Sequence, residues 1–230
     1  MSTKAIDRPG AVKGPPPGPY GDWQPGLEKT RLYDRILMDI MLGDLAPMRP
    51  LAEKGLAVRY SAGLAGVRAA LRRLAIEGLV MRRPRVGTVV APLDFDQIEQ
   101  AFQVRRMLAG RTARLAAMNA ADEDREAIED ALAGADAAVE AGDYRALLRM
   151  EHAFYRAVAL ATHNPFLARF AIALQGVTAR YWLWRLRRLT QEDQLEHIRL
   201  RLDLARAIVA RDPAAAEAAA LLIEASLTSA

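Results

Sequence analysis

The sequence predicts a mainly α-helical protein, with a head of three helices and a β-hairpin followed by an all-α bundle of about six helices. Apolar residues recur at helical spacing along most of the chain. Runs rich in β-formers are confined to residues 79–90, and after Pro92 the composition becomes rich in Ala, Leu and Arg. The 230 residues suffice for one large domain or two small ones.

The first 26 residues are predicted to form a disordered arm. Residues 8–26, RPGAVKGPPPGPYGDWQPG, are dense in Pro and Gly, which oppose both helices and strands. We therefore divide the chain into an arm at 1–26, a head at 27–93 and a helical body at 94–230.

The head begins with a predicted amphipathic helix. This helix starts at Leu27, places Leu32, Ile36 and Ile40 on one face, and ends before Gly43. Its apolar face predicts packing against the other helices of the head.

A break of small residues separates the second and third predicted helices. These helices cover residues 51–60 and 64–77, with Ser61, Ala62 and Gly63 between them. The predicted inward face of the third helix consists of Val67, Ala70, Leu71, Leu74 and Ala75.

Arginines dominate the outward side of these helices. Arg68 and Arg72 lie one turn apart on the third helix with Arg73 beside them, and Arg59 lies near the end of the second helix. We expect the three guanidinium groups of the third helix to project from one small surface, where a polyanion would relieve their repulsion.

The hairpin adds a basic tip to the head. Two β-rich runs within residues 79–90 surround a Pro/Gly turn that is flanked by Arg82, Arg83 and Arg85. Three helices followed by such a hairpin predict a winged helix-turn-helix, whose third helix enters the major groove of double-stranded DNA while the wing contacts phosphate. We assign the arginines of this surface to DNA binding: Arg59, Arg68, Arg72, Arg73, Arg82, Arg83 and Arg85. A basic module that binds nothing is the alternative.

Charge is unevenly distributed along the chain. Residues 1–93 hold 15 Lys and Arg against 8 Asp and Glu, whereas residues 94–230 hold 17 against 20. This asymmetry indicates a polyanion-binding head joined to a body with a different role.

Composition also argues against several classes of protein. The chain has no cysteine, which excludes disulfides, Cys-ligated metals and cysteine nucleophiles. No uncharged stretch reaches the ~18 apolar residues of a membrane span, and the start MSTKAIDRPG has no apolar signal core, so we expect a cytoplasmic protein. The three histidines lack acid or base partners by spacing and no Gly-rich phosphate loop occurs, so we expect no catalytic residue and no enzymatic activity.

Six helices are predicted for the body. They cover residues 95–119, 123–141, 143–161, 165–189, 192–211 and 213–228. A bundle of this kind can hold a ligand in its interior.

Five segments of the sequence carry a family resemblance. They are LYDRILMDIMLGDLAP, LAEKGLA and VRAALRRLAIEGLVMRRPRVGTVV in the head, and QVRRMLAGRTARLAA and HAFYRAVALATHNPFL in the body. Through them the chain resembles the GntR family of bacterial transcriptional regulators, in the FadR-like branch with an FCD effector domain. The resemblance implies a homodimer that binds an inverted-repeat operator and responds to a small molecule.

The head departs from the family pattern at several places. The family reads Gly-Val-Ser-Arg-Thr-Pro-Val-Arg-Glu-Ala-Leu where residues 61–71 read SAGLAGVRAAL, so Leu64 stands in place of a base-reading arginine. Ala65 and Gly66 replace the Thr-Pro that starts the family's helix, so we expect a weak helix start. Met48 replaces a glycine after the first helix.

The effector region departs further from the family. Many FCD domains bind a divalent metal through an Asp and a His four residues apart and two later His, and the resemblance places these positions at Glu151, Tyr155, Arg201 and Ile223. None of them is a histidine, so we expect neither a metal nor another cofactor. A register shift of one helical turn would bring His197 to the third position.

Helical spacing indicates another role for these residues. Glu151 and Tyr155 share the inward face of their helix, and a buried carboxylate needs a partner, for which Arg201 and Arg105 are the candidates. Arg201 and Glu151 either form a permanent ion pair, which we favour, or leave an arginine free to bind a small carboxylic acid. We assign Arg105, Glu151, Tyr155, His197 and Arg201 to the effector site.

Two functions fit this sequence. The leading hypothesis is a homodimeric transcriptional repressor that binds double-stranded DNA and responds to a small-molecule effector, with no membrane partner. The alternative is a ligand- or partner-binding module whose head binds nucleic acid weakly and without sequence preference, as Leu64 and Gly66 suggest.

Overall fold

The computed structural model describes residues 28–227. Over this range the chain forms ten helices and one two-stranded antiparallel sheet, which confirms the predicted mainly α class. The elements are α1 (Glu28–Met41), α2 (Glu53–Tyr60), α3 (Leu64–Ile76), β1 (Val80–Arg83), β2 (Gly87–Val90), α4 (Phe95–Asn119), α5 (Asp122–Asp130), α6 (Ala135–Glu140), α7 (Tyr144–Ala161), α8 (Pro165–Leu186), α9 (Gln191–Val209) and α10 (Pro213–Ser226). The predicted arm at 1–26 and Leu27 lie outside the described residues.

Helices α1 and α3 form the centre of the head. Ile36, Val67 and Leu74 are fully buried between the head's elements. A Cβ atom at Gly66 would come within 3.3 Å of Leu32 Cδ2, so a glycine at this position permits close packing of α3 on α1. Ala75, which was expected on the inward face, is exposed because it lies on the side of α3 that faces the hairpin.

Leu51, the first residue of the predicted second helix, lies beside the hairpin instead. β1 and β2 pair with Val80 opposite Val90 and Arg83 opposite Gly87. The Leu51 N–H donates to the Thr88 carbonyl at 2.8 Å, so this residue is held beside the sheet and α2 begins two residues later than predicted.

The body contains seven helices, where about six were expected. The single helix predicted at 123–141 is two helices, α5 and α6. The reason is Gly134, whose φ of +79° places it in the left-handed region that ends a helix.

The head rests directly on α7 and α8 of the body. A Cβ atom at Gly176 of α8 would be 3.4 Å from Leu79 Cδ1 and 3.5 Å from Leu37 Cδ1, both in the head. Arg180, one turn later, donates to the Ala91 carbonyl at 2.7 Å, in the segment that joins β2 to α4. Helix α8 therefore contacts both the apolar core of the head and the linker.

Ion pairs add to this contact. Arg145 of α7 binds both carboxylate oxygens of Asp44, at 2.6 and 3.1 Å, and Arg156 lies 3.4 Å from Asp34.

Among residues 28–227, no helix combines the length and apolar character that crossing a membrane requires.

Candidate nucleic-acid interface and effector cavity

An open groove separates α3 from the hairpin. It has a volume of about 570 Å³, and its walls include Arg68 and Arg72 of α3 and Arg82 of β1. All three arginines are exposed, so the structure brings together residues from two of the predicted DNA-binding elements.

The arginines of this groove differ in their partners. Arg68 donates from Nε to Glu53 Oε2 at 2.7 Å, although its side chain stays 56% exposed. Arg72 has no ion pair with any of the described residues. An exposed surface pair contributes little to stability, so Arg68 can exchange Glu53 for a phosphate at small cost.

Arg73 does not share this surface. Its Nε donates to Glu77 at 2.9 Å, its guanidinium carbon lies 4.0 Å from the centre of the Tyr33 ring, and its side chain is only 12% exposed. The expectation that three guanidinium groups of α3 project together is therefore wrong for Arg73. One residue step rotates a helix by about 100°, which directs this side chain toward α1 and the end of α3 instead.

The remaining predicted contacts lie at the edges of the head. Arg83 and Arg85 are exposed at the hairpin tip, where Arg85 has a φ of +63°. Arg59 of α2 is paired with Asp39 at 2.5 Å and lies against the Tyr60 ring. Arg59 therefore has a binding partner within the head, whereas Arg83 and Arg85 form no ion pair with the residues at 28–227.

The start of α3 carries no polar anchor. Its N-cap residue, Gly63, provides no side-chain hydrogen bond, and the helix begins at Leu64. The weak helix start expected from the sequence stays a prediction. Leu64, the first residue of α3, is 38% exposed. This end of the helix thus offers DNA an alkyl group where an arginine would offer two hydrogen-bond donors.

The body encloses a cavity of about 50 Å³ among α4, α7, α8, α9 and α10. Its polar lining residues are Arg105, Thr112, Tyr155, Gln175 and Glu224. Most of the remaining wall is aliphatic, so the cavity combines an apolar body with a few polar groups, as ligand sites commonly do.

Arg105 contacts three polar residues in this region, Glu224, Thr178 and Tyr155. Its Nε donates to Glu224 Oε1 at 2.9 Å, and its Nη1 donates to Thr178 Oγ1 at 3.1 Å. Its guanidinium also lies 4.7 Å from the centre of the Tyr155 ring. Burial lowers the pKa of Arg105, but the Glu224 and Glu151 carboxylates oppose that effect and the pKa is raised overall, so the group stays charged.

The predicted ion pair between Glu151 and Arg201 is confirmed. Arg201 Nη2 lies 2.6 Å from Glu151 Oε1, and the two side chains are 1% and 7% exposed. Arg201 Nη1 also donates to the His197 carbonyl at 2.7 Å. The Tyr155 phenol lies near both arginines, and burial raises its pKa, so it is uncharged at neutral pH.

His197 is a packing residue of this region. Its ring lies edge-on against Trp182 at 4.9 Å, and burial, followed by the charge of Arg201, lowers its pKa to about 4. It borders a gap of about 10 Å³ together with Glu151 and Arg201, whereas Arg105 and Tyr155 line the cavity of about 50 Å³. The Tyr155 ring, 5.6 Å from the Arg201 guanidinium, lies between the two groups.

The residues present do not fit a divalent metal. Of the four positions that the family resemblance assigns, Ile223 has no ligand atom, and Arg201 is a cation already hydrogen-bonded to Glu151, the single carboxylate. No group of three His, Asp or Glu side chains within residues 28–227 could hold a metal ion.

Sequence reasoning missed three polar residues of the cavity, Thr112, Gln175 and Glu224. Glu224 lies 119 residues after its partner Arg105, and Gln175 contacts His152 Nδ1 at 2.8 Å through its Oε1. The signal for Glu224 was its isolation: it is the last charged residue of an otherwise Ala- and Leu-rich helix.

Two family models match the chain. The model of bacterial regulatory proteins of the gntR family matches residues 28–90, and that of the FCD domain matches residues 100–223, which is more than half of the chain.

Curated relatives are similar over part of their length. The probable D-xylose utilization operon transcriptional repressor of Paenarthrobacter nicotinovorans is 31% identical over 140 residues, covering 61% of this chain and 62% of that protein. The HTH-type transcriptional repressor RspR of Escherichia coli K12 is 32% identical over 87 residues, or 38% of each chain. The chain therefore spans less than two thirds of either relative.

Solved structures share the fold. Escherichia coli McbR/YncC matches with a TM-score of 0.73 and 20% identity, covering 86% of this chain and 94% of that one. A putative transcriptional regulator GntR from Rhodococcus sp. RHA1 matches with a TM-score of 0.66 and 16% identity, over the same shares. At these identities the similarity concerns the arrangement of helices alone.

Proposed function

Since the chain belongs to the GntR family of bacterial regulatory proteins and carries an FCD domain, we propose that it is a transcriptional repressor that binds DNA as a homodimer and responds to a small molecule. Both curated relatives described above are named repressors, which supports repression over activation. The proposed role is regulatory, not enzymatic. Because it requires access to DNA, the proposed location is the cytoplasm.

The observation that carries this proposal is the arginine-lined groove between α3 and the hairpin. Arg68 and Arg72 of α3 would enter the major groove of DNA, while Arg82, Arg83 and Arg85 of the hairpin would contact phosphates. Arg59 belongs to the rim of this interface, where DNA would compete with Asp39 for it. Arg73 is left out because Glu77 and Tyr33 hold it inside the head.

A homodimer is proposed because two heads related by a two-fold axis match an inverted repeat. Apolar side chains exposed on α4 and α10 offer surface for such a contact; Val104, Met107, Leu221 and Leu222 are each at least 44% exposed. Sedimentation equilibrium of the full chain should give about twice the monomer mass of 25.3 kDa.

Helix α8 is proposed to link the effector cavity to the head. Leu174 and Gln175 of this helix line the cavity, whereas Gly176 and Arg180 contact the head and the linker. The head rests on α8, so each position of α8 corresponds to one arrangement of the heads. A ligand that binds one position of α8 more tightly therefore favours that arrangement.

A second candidate function follows from the exposed Leu64 at the start of α3. Without a base-reading arginine there, the head can bind nucleic acid through charge alone, and each bidentate contact that is missing removes about 1–3 kcal/mol of discrimination.

Selection of genomic DNA fragments by the purified full chain distinguishes the two candidates. The selection is run at two salt concentrations, with the R68A/R72A double variant and with Arg206→Ala, an exposed body arginine, as matched control. A sequence-specific repressor enriches a defined fragment at both salt concentrations, and only R68A/R72A loses that enrichment. Binding that falls steeply with salt and enriches no fragment supports the charge-only module.

A further inference from the structure

We propose that the cavity of the body binds a small uncharged molecule with hydroxyl groups on a hydrocarbon frame, and not a carboxylic acid. This inference rests on the proposed function for one point only, that the cavity is where the effector binds.

Charge balance is the first argument. Arg105 is paired with Glu224 at 2.9 Å and Arg201 with Glu151 at 2.6 Å, so the formal charges in and beside the cavity cancel. Tyr155, between the two arginines, adds no charge. An entering anion would be an unpaired charge in a mostly aliphatic enclosure, which is unfavourable, whereas an uncharged ligand keeps the balance.

Three polar atoms supply the second argument. Arg105 Nη2, Tyr155 OH and Glu224 Oε2 are buried and have no hydrogen-bond partner among the described residues. They comprise a donor, a group that can donate or accept, and an acceptor. A ligand hydroxyl can accept from Arg105 and donate to Glu224, whereas a carboxylate can only accept and would be repelled by Glu224.

The shape of the cavity limits the ligand's size. With roughly 10–15 Å³ needed for one water molecule, 50 Å³ has room for about three to five water-sized groups. The aliphatic wall contributed by Leu108, Val158, Leu174 and Leu204 favours carbon over further polar atoms. A short diol meets both conditions.

Matched pairs of uncharged and acidic probes test the proposal. The purified full chain, without DNA, is titrated with 1,2-propanediol against lactate and with ethylene glycol against glycolate at constant ionic strength, with binding followed calorimetrically. We expect each diol to bind at least tenfold more tightly than its matched acid. Equal or tighter binding of the acids, or no binding of either diol, would overturn the proposal.

The Glu224→Gln variant tests the charge argument directly. With the carboxylate gone, Arg105 is unpaired, so the affinity for lactate should rise at least tenfold while that for 1,2-propanediol falls. Glu217→Gln is the matched control, because Glu217 lies two turns earlier on α10 and pairs with Arg114 at the surface. An E224Q chain that still rejects lactate contradicts the proposal.

Tyr155→Phe keeps the proposal testable if E224Q does not fold. Loss of the phenol oxygen should weaken 1,2-propanediol binding at least threefold and leave lactate binding unchanged, whereas no change for the diol would overturn the hydrogen-bonding argument. Because no assay here contains DNA, failure of these tests is separate from failure of the repressor proposal, which the fragment selection decides.

Discussion

The arginines that line the groove of the head and those inside the body occupy opposite environments. Arg72 and Arg82 are exposed along an open groove of the head. Arg105 and Arg201 of the body have side chains that are 11% and 1% exposed, and each is paired with a glutamate. The same residue type thus supplies accessible positive charge in one region and buried cross-links between helices in the other.

The contrast extends to neighbouring residues of one helix. Arg72 points into the groove, whereas Arg73 is held by Glu77 and Tyr33. The side of the helix on which an arginine lies therefore decides whether it is available for binding, and membership in a basic cluster does not.

The largest expected effect concerns the buried pair of the body. Arg201→Leu should lower the free energy of unfolding by about 3–5 kcal/mol, because it leaves the Glu151 carboxylate buried without its partner. Urea denaturation at fixed protein concentration measures the loss. Arg206→Leu, an exposed change on the same helix, should stay within about 0.5 kcal/mol of wild type.

The double variant E151Q/R201L sharpens this prediction. It removes both charges and should recover much of the lost stability, since a buried pair replaced by uncharged groups is often tolerated. If Arg201→Leu alone costs no more than the Arg206→Leu control, the buried arginines of the body do not serve as cross-links.

A smaller effect is expected for DNA binding by the head. Arg72→Ala should weaken binding to the selected fragment by about 1–3 kcal/mol if Arg72 reads a base, or weaken all sequences equally if it contacts phosphate. Titration of labelled DNA measures both. Unchanged binding by R68A/R72A would remove α3 from the interface.

How much of this could be read from the sequence differs between the two regions. The Glu151–Arg201 pair was predictable because helical spacing places Glu151 on the inward face, and a buried carboxylate needs a cation as its partner. The Arg105–Glu224 pair was not, because nothing local to α4 indicates that α10 lies beside it. Long-range packing thus determined the partner that helical periodicity left open.

The head shows the same limit at a local scale. Helices and hairpin followed from apolar spacing and turn residues, but the inward turn of Arg73 depended on Tyr33, forty positions earlier in the chain. In the body, Gly134 lies between residues that favour helices, so composition predicted one continuous helix. Its left-handed conformation divides that helix into two.

The hairpin should contribute affinity without specificity. Replacing Arg82, Arg83 and Arg85 with alanine should reduce the slope of log affinity against log salt by up to about 0.9 for each phosphate that the hairpin no longer neutralises. Binding titrations at four salt concentrations measure the slope. A constant slope with altered fragment preference would show that the hairpin reads bases.

The smallest expected effect is a gain in stability at Met48. Its φ of +65° is unfavourable for any residue with a Cβ atom, so Met48→Gly should stabilise the head by about 0.5–1 kcal/mol. Met48→Ala keeps the Cβ atom and should show no such gain. Thermal unfolding of the two variants, compared at equal concentration, measures the difference; equal melting temperatures would contradict the prediction.

The most direct test of the central claim, that the environment of an arginine decides its role, compares the adjacent residues Arg72 and Arg73. DNA affinity and the free energy of unfolding are measured for Arg72→Ala and Arg73→Met. Arg72→Ala should lose DNA affinity and keep wild-type stability, whereas Arg73→Met should lose about 1–3 kcal/mol of stability and, at temperatures where it is folded, bind DNA as wild type does. Equal losses of DNA affinity with unchanged stability in both variants would contradict the account.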